Sequence, residues 1–131
     1  MSSTPKALDV NTAELPHAFH LVEEPIEPSG LLLIGSGELD IATVATLREP
    51  LDAAIDAGAR RLVIDLSDVR FLDSVALAVI VNAKRRLAGE GKLVVVVDRS
   101  SYVMLVFECS GLPGIIDVAD TRDEALAQLD S

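Results

Sequence analysis

A chain of 131 residues, 50% of them hydrophobic, has the length of one domain and can bury roughly two-thirds of the surface its unfolded form exposes. With 21 acidic against 11 basic residues its formal charge is −10, a sign that opposes nucleic-acid phosphates and anionic bilayers, so neither is an expected partner. No apolar run approaches the ~20 residues of a membrane span, the N-terminal MSSTPKALDVN lacks the apolar stretch of a secretory signal, and Cys109 has no second cysteine to pair with, which points to a reducing cytoplasm.

In chain order, residues 1–16 are polar and aperiodic and contain Pro5 and Pro16, which predicts a flexible N-terminal arm ahead of a single domain at 17–131. Ala18 to Glu24 (AFHLVEE) reads as a strand, PIEPSG as a turn and Leu31 to Gly37 (LLLIGSG) as a second strand, together a hairpin. From Asp40 the pattern becomes helical, with Val44, Leu47, Leu51 and Ile55 on one face. Asp40 or Thr43 is placed to cap that helix and Gly58 to end it. Pro50 falls inside, where its missing amide predicts a kink.

Leu62 to Leu66 has the short, branched character of a strand buried on both faces, with a turn expected at SDVR. Val75 to Ala88 is apolar enough for either element, but its ends favour a helix. Ser74 is a good cap, Asp73 is acidic beside it, Lys84, Arg85 and Arg86 lie in the last turn, and Gly89 or Gly91 can terminate. Leu77, Ile80, Val81 and Leu87 share its apolar face. A central strand at Leu93 to Val97 follows, then a helix capped by Ser100, containing Val103, Val106 and Phe107 and ending at Gly111. Ile115 to Val118 makes a short strand, and Thr121 with Glu124 forms a T-x-x-E box opening a last helix over Ala125, Leu126 and Leu129. Two strands followed by alternating helix and strand predict an α/β fold. Its mixed, mostly parallel sheet of about five strands is entered by an N-terminal hairpin and flanked by about four helices.

Asp73 and Ser74 are a polar pair set between two apolar runs, where a strand hands over to a helix. A hydroxyl there stands at the positive end of the helix dipole, where phosphate is tolerated. By itself, a serine at such a position serves most often as a cap.

Several stretches together resemble a known family. GSGELDIATVATL is similar to the GELD element after the second strand of STAS domains, and FLDSVALAVIV to their F-x-D-S-[ST]-G-L-G-x-[IL] segment. KLVVVV followed by SSYVMLVFECSGL resembles the family's last central strand and the helix ending in S-G-L. The likeness runs from about Ala18 to Leu129 and is nearest to the bacterial anti-sigma factor antagonists, small free-standing STAS proteins.

The resemblance implies the STAS fold and a phosphorylation switch. The unphosphorylated protein would bind an anti-sigma factor with serine kinase activity and thereby free a sigma factor. Phosphorylation of the motif serine, here Ser74, would break that complex, and a metal-dependent serine phosphatase would restore it. Asp73 and Asp40 correspond to the motif aspartates, so Asp40, Asp73, Ser74, Val75 and Ala76 are the expected partner-binding set, with both carboxylates in exposed loops. The protein is then a kinase substrate and not an enzyme, needs no cofactor or metal, and works in a bacterial cytoplasm.

The motif departs from the family directly after Ser74: Val75, Ala76 and Ala78 stand where the family has Ser or Thr, Gly and Gly. Alanine for glycine adds roughly 1 kcal/mol of helix propensity per site and bulk where a kinase approaches, which leaves a constitutive, non-phosphorylated interaction module or scaffold as the alternative. An enzyme or nucleotide binder is the remote one. Gly35 to Gly37 carries only part of a dinucleotide fingerprint. His17 and His20 are spaced to opposite faces of a strand, against a metal site. Neither histidine is near Ser74 in sequence, and Ser74 is not in G-x-S-x-G. Cys109 reads as a half-buried packing residue.

Overall fold

A computed structural model describes residues 18–130. The predicted arm (1–16) and His17, the first residue of the predicted domain, lie outside the described residues, as does Ser131.

Strands β1 (Phe19–Ile26) and β2 (Gly30–Leu39) pair antiparallel, the expected hairpin. From β2 onward the chain alternates: α1 (Ala45–Asp56), β3 (Arg61–Leu72), α2 (Ser74–Leu87), β4 (Lys92–Val96), α3 (Tyr102–Ser110), a 3-10 turn at Leu112–Gly114, β5 (Asp117–Ala119) and α4 (Arg122–Leu129). The sheet order is β1-β2-β3-β4-β5, with β2 to β5 parallel. Because every crossover steps to the next strand in the same direction, right-handed connections lay α1, α2 and α3 on one face. There Leu33, Ile64 and Val95 of the sheet pack with Leu51 of α1, Ile80 of α2 and Phe107 of α3. The alternate residues, Leu32, Val63, Val94 and Val96, point to the other face and pack with Ala125 and Leu129 of α4, with Leu126 at the margin. Period-two alternation of apolar residues on both sides explains why these strands read as continuous hydrophobic runs.

Several boundaries differ from the sequence expectation. The turn expected at SDVR is strand: β3 continues to Leu72, paired with β2 through register shifts at Ile34/Ser36 and Gly37/Glu38. β4 stops opposite Asp65, so beyond that point β3 has a neighbour on one side only. Ser67, Asp68 and Arg70 then face solvent while Val69 and Leu72 stay buried. The bulges break strict alternation, which is why the segment looked like a turn. Gly37, at φ 105°, lies where a Cβ would stand 2.3 Å from the Ala18 carbonyl, so the bulge requires glycine. The last strand is Asp117–Ala119, shifted from the predicted Ile115 to Val118, because Ile115 and Ile116 close the 3-10 turn onto the Leu112 carbonyl. α3 is capped by Ser101, whose Oγ accepts the Met104 N–H at 3.1 Å, while Ser100 is bonded to Asp98. α1 runs through Pro50 as one helix.

Candidate functional site

Strands β2 and β3 end side by side, Leu39 opposite Leu72, and the Asp73 N–H donates to the Leu39 carbonyl at 3.2 Å. Asp40 and Asp73, the next residue on each strand, are thereby brought together at the carboxyl edge of the sheet. In α/β folds that edge is where ligands and partners are met.

Asp73, and not Ser74, caps α2. Its backbone is extended (φ −120°, ψ −173°), and its carboxylate accepts the Val75 N–H at 3.0 Å. Ser74 is already the first helical residue, so its side chain cannot reach back to the first-turn amides. It is exposed, and its hydroxyl makes no hydrogen bond to the described residues. The helix start is secured without it.

Asp40 is only 7% exposed, which corrects the expectation of a carboxylate in an open loop. Its Oδ1 accepts the N–H groups of Ala42 (2.9 Å) and Thr43 (3.2 Å). The Thr43 hydroxyl accepts the Asp40 N–H at 3.0 Å and donates to the Glu38 carbonyl at 2.8 Å. This reciprocal box closes the turn leading into α1. Ala76 is also turned inward, at 0% exposure, so its methyl group is core and adds no bulk at the surface. Val75 is half-buried and Ala78 exposed. Of the five predicted partner-binding residues, Asp73, Ser74 and Val75 are at least partly exposed, while Asp40 and Ala76 are buried.

Since Asp40 holds a turn together, Asp40→Ala is expected to lower stability by about 1–2 kcal/mol, the cost of a strong cap. Urea unfolding checks this. An unchanged midpoint with weakened partner binding would return Asp40 to a contact role.

Three exposed apolar residues at this edge were not singled out in the sequence. Ile41, directly after Asp40, is 78% exposed. Phe71, three residues before Ser74, stacks on Tyr102 of α3 with ring centroids 5.8 Å apart and planes 8° from parallel. Their signal was the placement of large apolar residues outside the periodicity of the core faces.

Asp65 lies on the opposite face and is 2% exposed. Arg122 Nε donates to it at 2.5 Å, and Ser67 donates through its N–H (2.9 Å) and hydroxyl (2.6 Å). Burial pushes the Asp65 carboxyl up, but the Arg122 and Ser67 bonds together outweigh it and hold the group below the usual carboxylate range. The pair fastens α4 to the sheet. Gly35 to Gly37 lie inside β2, away from any strand-to-helix turn. Cys109 is exposed on α3, not half-buried, because Val103, Met104 and Phe107 take the inward positions. Among the described residues no group of three or more His, Cys, Asp or Glu is disposed to hold a metal, and no helix is long and apolar enough to cross a membrane.

The sequence pattern of the STAS domain family matches residues 24–125. The chain belongs to the STAS domain family. This STAS domain is 32% identical over 84 residues to the anti-sigma-B factor antagonist of Bacillus subtilis, covering 64% of this chain and 76% of that one. Among solved structures it is similar to an anti-sigma factor antagonist from Mycobacterium paratuberculosis, with a TM-score of 0.82, 26% identity and coverage of 89% and 98% of the two chains. It is also similar to the Bacillus cell fate determinant SpoIIAA in its phosphorylated form, with a TM-score of 0.63, 28% identity and coverage of 85% and 98%. The five-stranded sheet and four helices of this STAS domain are the fold of those proteins.

Proposed function

We propose that the protein is an anti-sigma factor antagonist. It binds an anti-sigma factor that carries serine kinase activity, so releasing a sigma factor, and phosphorylation of Ser74 ends the complex. A metal-dependent serine phosphatase resets it, all in the bacterial cytoplasm, and the protein is a substrate in this cycle, with no catalysis of its own. The observation that carries this reading is the Ser74 hydroxyl: exposed, unbonded, and relieved of capping by Asp73. A structural serine at a helix start would be expected to hold the cap itself. The names of the relatives support the partner class, and the phosphorylated form of SpoIIAA supports a phosphate on this fold.

The alternative, a constitutive interaction module, draws on Ala78, which leaves more bulk one turn from Ser74 than glycine would, and on Val75, which replaces a hydroxyl with an apolar side chain. Ala76 no longer favours it, since its methyl group is buried. Incubation with ATP and the cognate kinase, followed by mass-spectrometric mapping, is expected to find one phosphate, on Ser74. A Ser74→Ala variant that still takes up one phosphate would contradict the site.

A further inference from the structure

We propose that the outward face of α3 extends the partner surface beyond Ser74 and receives an amphipathic helix of the anti-sigma factor whose apolar stripe is flanked by Lys and Arg. This rests on the function proposed above and names the chemistry of that partner. Tyr102, Leu105, Val106 and Cys109 follow one another at helical spacing along α3, a stripe about 10 Å long. Tyr102 is 50% and Leu105 54% exposed, and together with Ser110 the four line a shallow depression of about 410 Å³. The inward face of the same helix is already buried through Val103, Met104 and Phe107. A helix apolar all round is normally covered on both sides.

The stripe joins the switch. Tyr102 stacks on Phe71, and Phe71 precedes Ser74 by three residues on the strand that leads into α2. An occupant of the α3 face therefore also lies beside the serine.

Charge selects the occupant. Glu108 is exposed on α3 and Asp98 in the turn before it. The Ser100 amide and hydroxyl hold the Asp98 carboxyl below its ordinary value, so it stays anionic. The nearby cations are engaged: Arg70 lies 3.8 Å from Glu38, and Arg99 is bonded to Asp120. A second copy of this chain would bring the same acidic rim and another net charge of −10 against the first, a like-charge juxtaposition that disfavours pairing. A cationic helix meets both the apolar stripe and its rim. Packing on one helical stripe also contributes less than the ~800 Å² per partner of a standard interface, which suits an extension of a larger contact.

Calorimetry of the full chain with its cognate anti-sigma factor tests this. Leu105→Asp is expected to weaken binding about 30-fold or more, Leu105→Ala about 3- to 10-fold, and Glu108→Lys about 3- to 10-fold at low salt, each with unchanged circular dichroism because both side chains are exposed. Full affinity of Leu105→Asp alongside loss in Ser74→Glu overturns this inference and leaves the switch standing. Loss in Leu105→Asp with full affinity of Ser74→Glu supports the α3 surface and contradicts the switch. Tighter binding by Glu108→Lys overturns the cationic partner. Sedimentation showing a dimer that Leu105→Asp dissolves assigns the face to a second copy and overturns the proposal, and no binding by the unsubstituted chain overturns both readings.

Discussion

Phosphorylated on Ser74, the protein is expected to keep its fold and lose its anti-sigma factor. The modification adds about 1.5 to 2 negative charges at the N-terminus of α2. The helix dipole stabilises an anion there by a fraction of a kcal/mol up to about 2 kcal/mol, which offsets the repulsion from Asp73. No hydrogen bond of the fold is lost, because the Ser74 hydroxyl makes none to the described residues and the Val75 amide is held by Asp73. The partner fares differently. A surface that packs against an uncharged hydroxyl must instead accept a desolvated dianion beside the Asp73 carboxylate, a mismatch of several kcal/mol. A loss of about 3–4 kcal/mol corresponds to a fall in affinity of roughly 10² to 10³. Calorimetry and thermal melting check the two halves together: the phosphorylated form keeps its far-UV circular dichroism and melting temperature while binding is lost. Ser74→Glu follows less completely and Ser74→Ala keeps both. Equal affinity of the two forms would favour the constitutive module, with Val75 and Ala78 as the cause.

Arg122→Ala is expected to have the converse effect, lower stability with intact binding. Removal of the guanidinium leaves the Asp65 carboxylate, 2% exposed, with only the two Ser67 donors. Orphaning a buried polar group costs about 1–3 kcal/mol, and breaking a fully buried ion pair about 3–5 kcal/mol. The Arg122 side chain is 46% exposed, so the cost falls between, at about 2–3 kcal/mol or roughly 10 °C in melting temperature. Asp65→Leu combined with Arg122→Leu should recover much of the loss, since neither charge is then buried alone. The pH dependence has a definite sign. The folded-state carboxyl titrates below its unfolded value of about 3.9, so its contribution is present above that pH and is lost as pH falls through the folded value. Urea midpoints measured between neutral pH and pH 3 should therefore fall less steeply in Arg122→Ala than in the unsubstituted chain. Partner affinity should not change, because α4 lies on the face of the sheet opposite α2 and α3. Lost affinity without lost stability would contradict this division of the molecule.

The central strands were legible because burial on both faces leaves no doubt about residues such as Leu62 to Leu66 and Leu93 to Val97. The helices were legible from their periodicity, and α4 also from its T-x-x-E box: Thr121 Oγ1 accepts the Glu124 N–H at 3.1 Å, and the Glu124 carboxylate accepts the Asp120 N–H at 2.9 Å. The caps of α2 and α3 each fall one residue from the expected serine. The second half of β3 was not legible. Ser67, Asp68 and Arg70 carry turn-like polarity, and only the third dimension shows that β4 ends before reaching them.

At the candidate site, sequence order brought out Asp40, Asp73 and Ser74 but not which way each side chain turns. Both Asp73 and Ser74 are competent caps, and the extended backbone at Asp73 decides between them. Asp40 reads as either a cap or a contact until Thr43 is found bonded back to it. Phe71 and Tyr102, 31 positions apart, carry no pairing signal in a single sequence.

The most direct measurement adds the protein to a preformed complex of its cognate anti-sigma factor and sigma factor and follows free sigma factor by gel filtration. The unphosphorylated chain is expected to displace the sigma factor at near-stoichiometric amounts, and the form phosphorylated on Ser74 is expected to leave the complex intact. No displacement by the unphosphorylated chain would contradict its role as an antagonist, and equal displacement by both forms would contradict the switch.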